Sequence, residues 1–575
     1  MLRWRAHQTP HDRSFMNPRS PLFLALAGLL LVACGGDRTD DPSAASGVST
    51  AGPTGASASG APSADVSGTP GDADATTDGS ALGSGAGSAS VESGPSGTGA
   101  GPESGGQGSG SGEPTGSGEG SEPSPGGSSA APACAPIAAP VADWYAAPDG
   151  QVGAAGTRAD PLPLALLFST QGPVAPGERV HLLGGTYAGH FEVTVAGTSA
   201  APVVFAAAPG ERAILDSNVP GEAEGGLILR GGNVEVHDLV VTSTSPVRGQ
   251  RQSGVVIYGP RTRLINSVVH DTAQGVSFWT PAVDAELYGN IIYHNGFTGP
   301  TRGHGHAIYT QNREGTKRIA RNILFFGYGT GLHAYTEGGH LQGFDIVENV
   351  WFRTGASVPG SSTVGESDGC LVGGLQPVAR ARLVGNLSWG PAPHSRSLRV
   401  GWGGSVQNED ITLIDNFLVG HFSAQGHWRS GTIHGNAFHG TIVGMEPEVY
   451  PDNDYAEALP TTNRSVVHVN AHDPGRAELV VYNPEGLEEV EVPLADVLPV
   501  GAEYTLHSVM DLFGSPLRSG TFAGGSLRVP MGTLPPVQAL GDPASIEGAD
   551  DPGAAFGVFV LRSRCALWEP EERER

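Results

Sequence analysis

One short phrase recurs along the chain: LINSVV at 264–269, LYGNII at 287–292, IARNIL at 319–324, IVENVW at 346–351, LVGNLS at 383–388, LIDNFL at 413–418 and IHGNAF at 433–438. Each sets an asparagine (Asn266, Asn290, Asn322, Asn349, Asn386, Asn416, Asn436) among apolar residues. The spacing runs from twenty to thirty-seven residues, with glycine-rich turns and no helical pattern of useful length between. Short β-rich segments at such a period predict a solenoid of β-coils. Asparagines stacked at one turn bond to each other and to exposed backbone, which makes them scaffold.

A second element lies between the first: GVVIY at 254–258, GVSFW at 275–279, GHAIY at 305–309 and GLHAY at 331–335. Strand side chains alternate between faces. With Ile257, Phe278, Ile308 and Ala334 in the core, Tyr258, Trp279, Tyr309 and Tyr335 point outward. Stacked strands lie about 4.8 Å apart, so the aromatics form an outward ladder. Two residues earlier the same face carries Val256, Ser277, Ala307, His333, Leu371 and Arg399; two later it carries Pro260, Pro281, Gln311 and Glu337. Aromatic planes flanked by polar groups suit sugar rings, so Tyr258, Trp279, Tyr309, Tyr335 and Gln311 are the candidate carbohydrate-binding set. The alternative is that the loop 353–368 covers the ladder and makes it core.

The segment 294–340 is the densest in chemistry, with His294, Arg302, His304, His306, Tyr309, Gln311, His333, Tyr335, Glu337 and His340. A histidine or tyrosine beside an arginine can abstract the proton alpha to a uronate carboxylate, the arginine neutralising the developing charge. The sharpest assignment makes His333 and Tyr309 base and acid, with Arg399 or Arg302 as neutraliser and Glu337 in the same set. A metal on His304, His306 and His333 is the competing reading. It fails if His304 and His306 share the inward parity of Ile308, and no metal site is assigned.

The N-terminal part reads differently. Residues 22–34, LFLALAGLLLVAC, follow Arg13 and Arg19 and are too short to span a bilayer comfortably, so 1–33 reads as a signal peptide, with Met16 an alternative start. Leu31-Val32-Ala33-Cys34 resembles the lipobox of bacterial lipoproteins. That resemblance implies lipidation of Cys34, and Gly35 after it implies the outer membrane. Residues 34–133 are nearly all Gly, Ser, Ala, Pro, Thr, Asp and Glu, with twelve acidic residues and one arginine, and read as a disordered acidic tether. About 100 such residues reach some 50–60 Å on average. Most of the formal net charge of −26 lies outside 141–450. That balance argues against nucleic acid and, through the want of a basic strip, against a highly anionic substrate. Cys134 and Cys565 bracket the folded region, and export allows a disulfide between them. Cys370 reads as a small packed residue.

The opening of the folded region, WYAAPDGQVGAAGTRADPLPL at 144–164 followed by PGERVHLLGGTYAG at 176–189, resembles that of the pectate-lyase-like superfamily. With the repeats the resemblance covers about 141–450. It implies a right-handed parallel β-helix with a short capping helix, over 134–450. It does not fix an activity, since the superfamily holds lyases, hydrolases, epimerases and adhesins. The Asp-Pro-His-Asp of mannuronan epimerases is absent. Gly303-His304-Gly305 resembles one motif of polygalacturonases whose companion motifs are missing. The only lysine, Lys317, reads as a turn residue rather than a lyase base. Residues 464–562 carry short strands between turn signals and resemble the β-sandwich modules of carbohydrate-active enzymes, so 451–575 is assigned a C-terminal antiparallel β-sandwich. Asp452, Asn453, Asp454 and Glu457 offer a calcium site or a solvated linker.

The expectation is thus an all-β, monomeric, lipid-anchored protein of the cell surface. Its partners are a polysaccharide and, through the lipid, the membrane. It acts as a lyase of an acidic glycan. The alternatives are a non-catalytic glycan-binding or adhesive protein and a purely structural envelope protein.

Overall fold

The computed structural model describes residues 137, 139–221, 223–299, 303–355, 368–391, 395–532, 538–541 and 553–567. The expectations for the signal, the tether, Cys34, Cys134 and Arg302, and for most of the 353–368 loop, fall outside the described residues.

Three parallel sheets, of twelve, eleven and ten strands, form a parallel β-helix. Each central coil gives one strand to each sheet in turn, as in Arg263–Ile265, Val268–His270 and Gln274–Phe278. One apolar position per strand stacks inward on its neighbours, so Leu264, Val269 and Val276 share a continuous core with their equivalents in other coils. Cys370 is among them, fully buried. The short helix Leu164–Leu167 closes the first coil, with Leu167 and the adjoining Phe168 buried.

The asparagines do stack. Asn349 Oδ1 accepts from the backbone N–H of Asn322 at 2.9 Å and from Asn322 Nδ2 at 3.0 Å, and Asn322 Nδ2 also reaches the Leu287 carbonyl. The pattern repeats through Asn290, Asn386, Asn416 and Asn436. The residue before each rung holds a left-handed backbone (Gly289, Arg321, Glu348, Gly385, Asp415, Gly435), and this single residue turns the chain from the twelve-stranded to the eleven-stranded sheet.

Two expectations about the ladder are corrected. Asn266 is not a rung. Pairing of Leu264 with Leu287 and of Val268 with Ile291 sets the register, so Ser267 lies opposite Asn290 and donates its N–H to Asn290 Oδ1 at 2.9 Å. Asn266 takes the left-handed position before it, with φ 52°. At the other end the ladder runs past 450. Asn453 Oδ1 accepts from Asn436 N and Nδ2, and Asp454–Ala456 pairs in parallel with Ala437–His439. The segment expected to be a linker or calcium loop is a further rung, and the amide of Asn453 is spent on backbone.

The C-terminal region is antiparallel. Five strands, Arg464–Val469, Arg476–Tyr482, Phe556–Ser563, Glu503–Ser508 and Arg518–Thr521, face the pair Glu489–Pro493 and Ser526–Pro530 across one core. Cys565 at its end is buried and disulfide-bonded.

The outward faces of the three sheets differ. The eleven-stranded face carries Ile291, Tyr293, Phe325, Phe352 and Trp389, and these pack against Val480, Tyr482, Met510 and Phe556 of the C-terminal domain. Asn266 and Asn470 exchange side-chain hydrogen bonds across this junction, and Arg476 Nη2 donates to the Gly289 carbonyl. The twelve-stranded face bears an alternating ion-pair ladder, Glu235–Arg263–Glu286–Arg318–Asp345–Arg382, with contacts of 2.6–3.5 Å. One face is thus covered and one is occupied by its own charges. The ten-stranded face holds the aromatic and histidine groups.

Candidate functional site

Backbone register places one outward row across the ten-stranded sheet: Glu192, Ile228, Val256, Ser277, Tyr309, His333, Leu371, Arg399 and Ser423. Tyr309 is therefore not level with Trp279. Ser277 pairs with Tyr309, and Tyr309 with His333. A small antiparallel hairpin, Phe297–Thr298 with Gly303–His304, precedes the strand Ile308–Thr310 and shifts it by two residues relative to the sequence alignment. A shift of two keeps every side chain on its face, so hydrophobic alternation cannot reveal it. Ala307 leaves the outward row and is buried in the core.

The outcome is a tight polar and aromatic cluster. His333 Nδ1 lies 3.1 Å from His306 Nε2, their ring centroids 4.2 Å apart. Tyr309 sits 5.5 Å from His333 and 5.9 Å from His306, and Tyr335 stacks on His333 at 4.9 Å with planes 11° apart. Trp279 meets Tyr309 edge-on at 5.5 Å, and Trp402 meets Tyr335 at 5.2 Å. Gln311 Nε2 donates to Tyr309 Oη at 3.1 Å. The parity argument that separated His306 from His333 does not hold. Gly305 turns with φ +83° and His306 lies in the bend ahead of the strand, where strand alternation does not apply. His304 goes elsewhere, stacking on Phe297 at 5.0 Å.

A buried carboxylate that sequence reading missed completes the cluster. Asp368, 4% exposed, receives Arg399 through Nη2 at 2.9 Å and Nε at 3.2 Å, and Arg396 Nε lies 3.4 Å away. Burial pushes its carboxyl above the ordinary range, and the two arginines pull the other way. The guanidinium of Arg399 also rests 4.9 Å above the Trp402 ring. Asp368 lies three residues before the outward row, as Gln274, His306 and Arg396 do in their coils. That offset, read from the register, is the signal that would have found it. His421, next to Arg396 in register, is held below the usual imidazole range by burial and both arginines.

The other candidates fall as follows. Tyr258 stands on the same face, its hydroxyl on Glu224 at 3.1 Å and Arg230 over its ring. Glu337 is exposed beyond Tyr335. His294 is buried at a turn against Phe326, away from the row. Lys317 is a buried staple and not a turn residue: its Nζ donates to the carbonyls of Phe278, Trp279 and Gln311 at 2.6–2.8 Å, and burial pushes its pKa well down. It fixes the backbone that carries Trp279 and Gln311. The donor set does not suit calcium. Among the described residues no three or more His, Cys, Asp or Glu converge, and Asp368 already carries two guanidinium groups.

No protein-family profile matches the chain. A pectate lyase, PEL9, of Emericella nidulans is 40% identical over 83 residues, which is 14% of this chain and 20% of that protein, so the chain spans about a fifth of the relative it matches. Among solved structures, pectate lyase Pel9A aligns over 55% of this chain and 81% of its own at 17% identity and a TM-score of 0.39. An alginate lyase from Paenibacillus sp. FPU-7 aligns over 47% and 93% at 20% identity and 0.30. XylC with bound xylose aligns over 67% and 99% at 9% identity and 0.36.

Proposed function

We propose that the protein is a carbohydrate-active β-helix enzyme, anchored at the cell surface through a lipid on Cys34, whose ten-stranded face is a lyase site for an acidic polysaccharide. The observation that carries this reading is the His306–His333 contact beside Tyr309, set in a row of aromatic rings. The tether lets the groove reach some 50–60 Å from the membrane.

In this reading the glycan crosses the strands with ring faces on the partly exposed Trp279 and Trp402, which flank the buried Tyr309 and Tyr335. The short contact between His333 Nδ1 and His306 Nε2 makes one ring donor and the other acceptor, which fixes a tautomer. With His333 donating through Nδ1, its Nε2 carries the lone pair and takes the proton on the carbon alpha to the uronate carboxylate. The C–H electron pair forms the new double bond as the glycosidic C–O bond breaks. Tyr309, whose oxygen accepts from Gln311, gives its hydroxyl proton to the departing oxygen. Arg399 stems two strands beyond His333 but leans to Asp368 on the strand between, which brings its charge toward the carboxylate being activated.

The full chain incubated with uronate-containing polysaccharides should release product with the ultraviolet absorbance of an unsaturated uronate. His333→Ala should cut the rate by about 10²–10⁴-fold while glycan binding persists, and Tyr309→Phe should act in the same direction. Binding that is lost in Trp279→Ala with Trp402→Ala, without any absorbing product, would make this a glycan-binding protein instead.

A further inference from the structure

Charge is distributed along the ten-stranded face in a way that specifies the glycan further. Arg230, Arg396 and Arg399 stand on the ten-stranded face or directly flank its strands. Each is ion-paired on that same face, Arg230 with Glu192 at 2.6 Å and Glu224 at 3.5 Å, and the other two with Asp368. Glu337, exposed beyond Tyr335, adds a carboxylate, and Arg313 with Glu314, exposed beyond Gln311, adds one charge of each sign. Basic groups therefore do not exceed acidic ones.

The two ends also differ. At the end nearest the N terminus, Glu192 and Glu224 outnumber Arg230, and Tyr258 joins them through its hydroxyl and its ring. Their carboxylates accept hydrogen bonds from sugar hydroxyls and repel a sugar carboxylate. At the far end Arg396 and Arg399 hold one buried Asp368, and His421 lies next to Arg396 on the following strand. From the strand Gly225–Leu229, which leads into Arg230, to the strand Arg396–Val400 there are six strand steps, about 29 Å. Several sugar units fit along that length. A polymer charged on every unit would place carboxylates against Glu192 and Glu224 for each one it seats at the arginines.

We infer that the groove takes a glycan of mostly neutral sugars with isolated uronates, one carboxylate seated at the Arg396–Arg399 end and neutral rings over Trp279 and Tyr258. This rests on the proposed lyase reading and narrows its substrate class.

The test uses the full chain and two uronate backbones, polygalacturonate and alginate. Each is prepared with none, half or nearly all of its carboxyl groups esterified, and dissociation constants are measured. Affinity should be highest for a sparsely charged form, about tenfold above the unesterified form of the same backbone. Glu192→Gln with Glu224→Gln, both on exposed side chains, should selectively tighten the unesterified form. Arg396→Gln should bring the sparsely charged form down to the level of the nearly neutral one. Tightest binding of the unesterified polymer overturns the inference and leaves the acidic-glycan lyase standing. No binding of any form, with a folded protein, overturns the lyase reading itself.

Discussion

Asp368 shows what single residues disclose only in register. In sequence it is one acid in a segment of small polar residues, and nothing marks it. Folded, it is the carboxylate that orients Arg399, two strands beyond His333. His333, Trp279 and Tyr335 were legible because outward parity follows from alternation within one strand. The His306–His333 contact was not, because it depends on a bend at Gly305 and on which coil lies above which. His294 gives a residue-scale prediction of another kind. Both ring nitrogens are buried without a hydrogen-bond partner among the described residues, the ring stacks on Phe326, and burial holds its pKa down to about 4 from 6.5. The unfolded chain therefore takes up a proton at higher pH than the folded one. Stability falls as pH drops through 6.5 and goes on falling to about 4, by about 3 kcal/mol in all from this group. His294→Phe keeps the stacking and removes the titration. Urea midpoints should fall less between pH 7 and pH 4.5 in the variant than in the parent, and an equal fall would show that His294 does not contribute.

At the scale of elements, the period of the asparagine phrase disclosed the solenoid, because each rung needs the same residue at the same turn. It did not disclose which residue of LINSVV is the rung. Asparagine also favours the left-handed position immediately before, and both positions are occupied by suitable residues there. The last rung was hidden for a related reason: the acids around Asn453 looked like a cation loop until the backbone pairing of Asp454–Ala456 assigned them to a coil. The ladder predicts its own energetics. Asn349 bridges three coils through Asn322, Asn386 and the Ile319 carbonyl, all fully buried. Asn349→Ala strands several buried polar groups, each costing about 1–3 kcal/mol. Denaturant unfolding should show a loss of about 3 kcal/mol or more. The conservative Asn349→Ser, which resembles the Ser267 rung, should lose less.

At the scale of the whole molecule, three similar sheets have three different outer faces. The eleven-stranded face is apolar and covered by the C-terminal domain, and the twelve-stranded face is closed by its own ion-pair ladder. The ten-stranded face gathers histidines, tyrosines, tryptophans and a carboxylate held between arginines. The sandwich was legible from its strands and turns, but its docking was not, because the residues that meet it, such as Phe325, Phe352 and Trp389, look like ordinary core in a strand of three. The central claim is that glycan binds and reacts on the ten-stranded face. The most direct measurement is a crystal structure of the full chain carrying His333→Ala with a bound uronate-containing oligosaccharide. Sugar rings over Trp279 and Trp402, with a carboxylate at Arg399 or Arg396 and the alpha carbon beside the vacated His333 position, are the predicted result. Sugar bound instead on the charged ladder or the C-terminal domain, with the ten-stranded face bare, would contradict it.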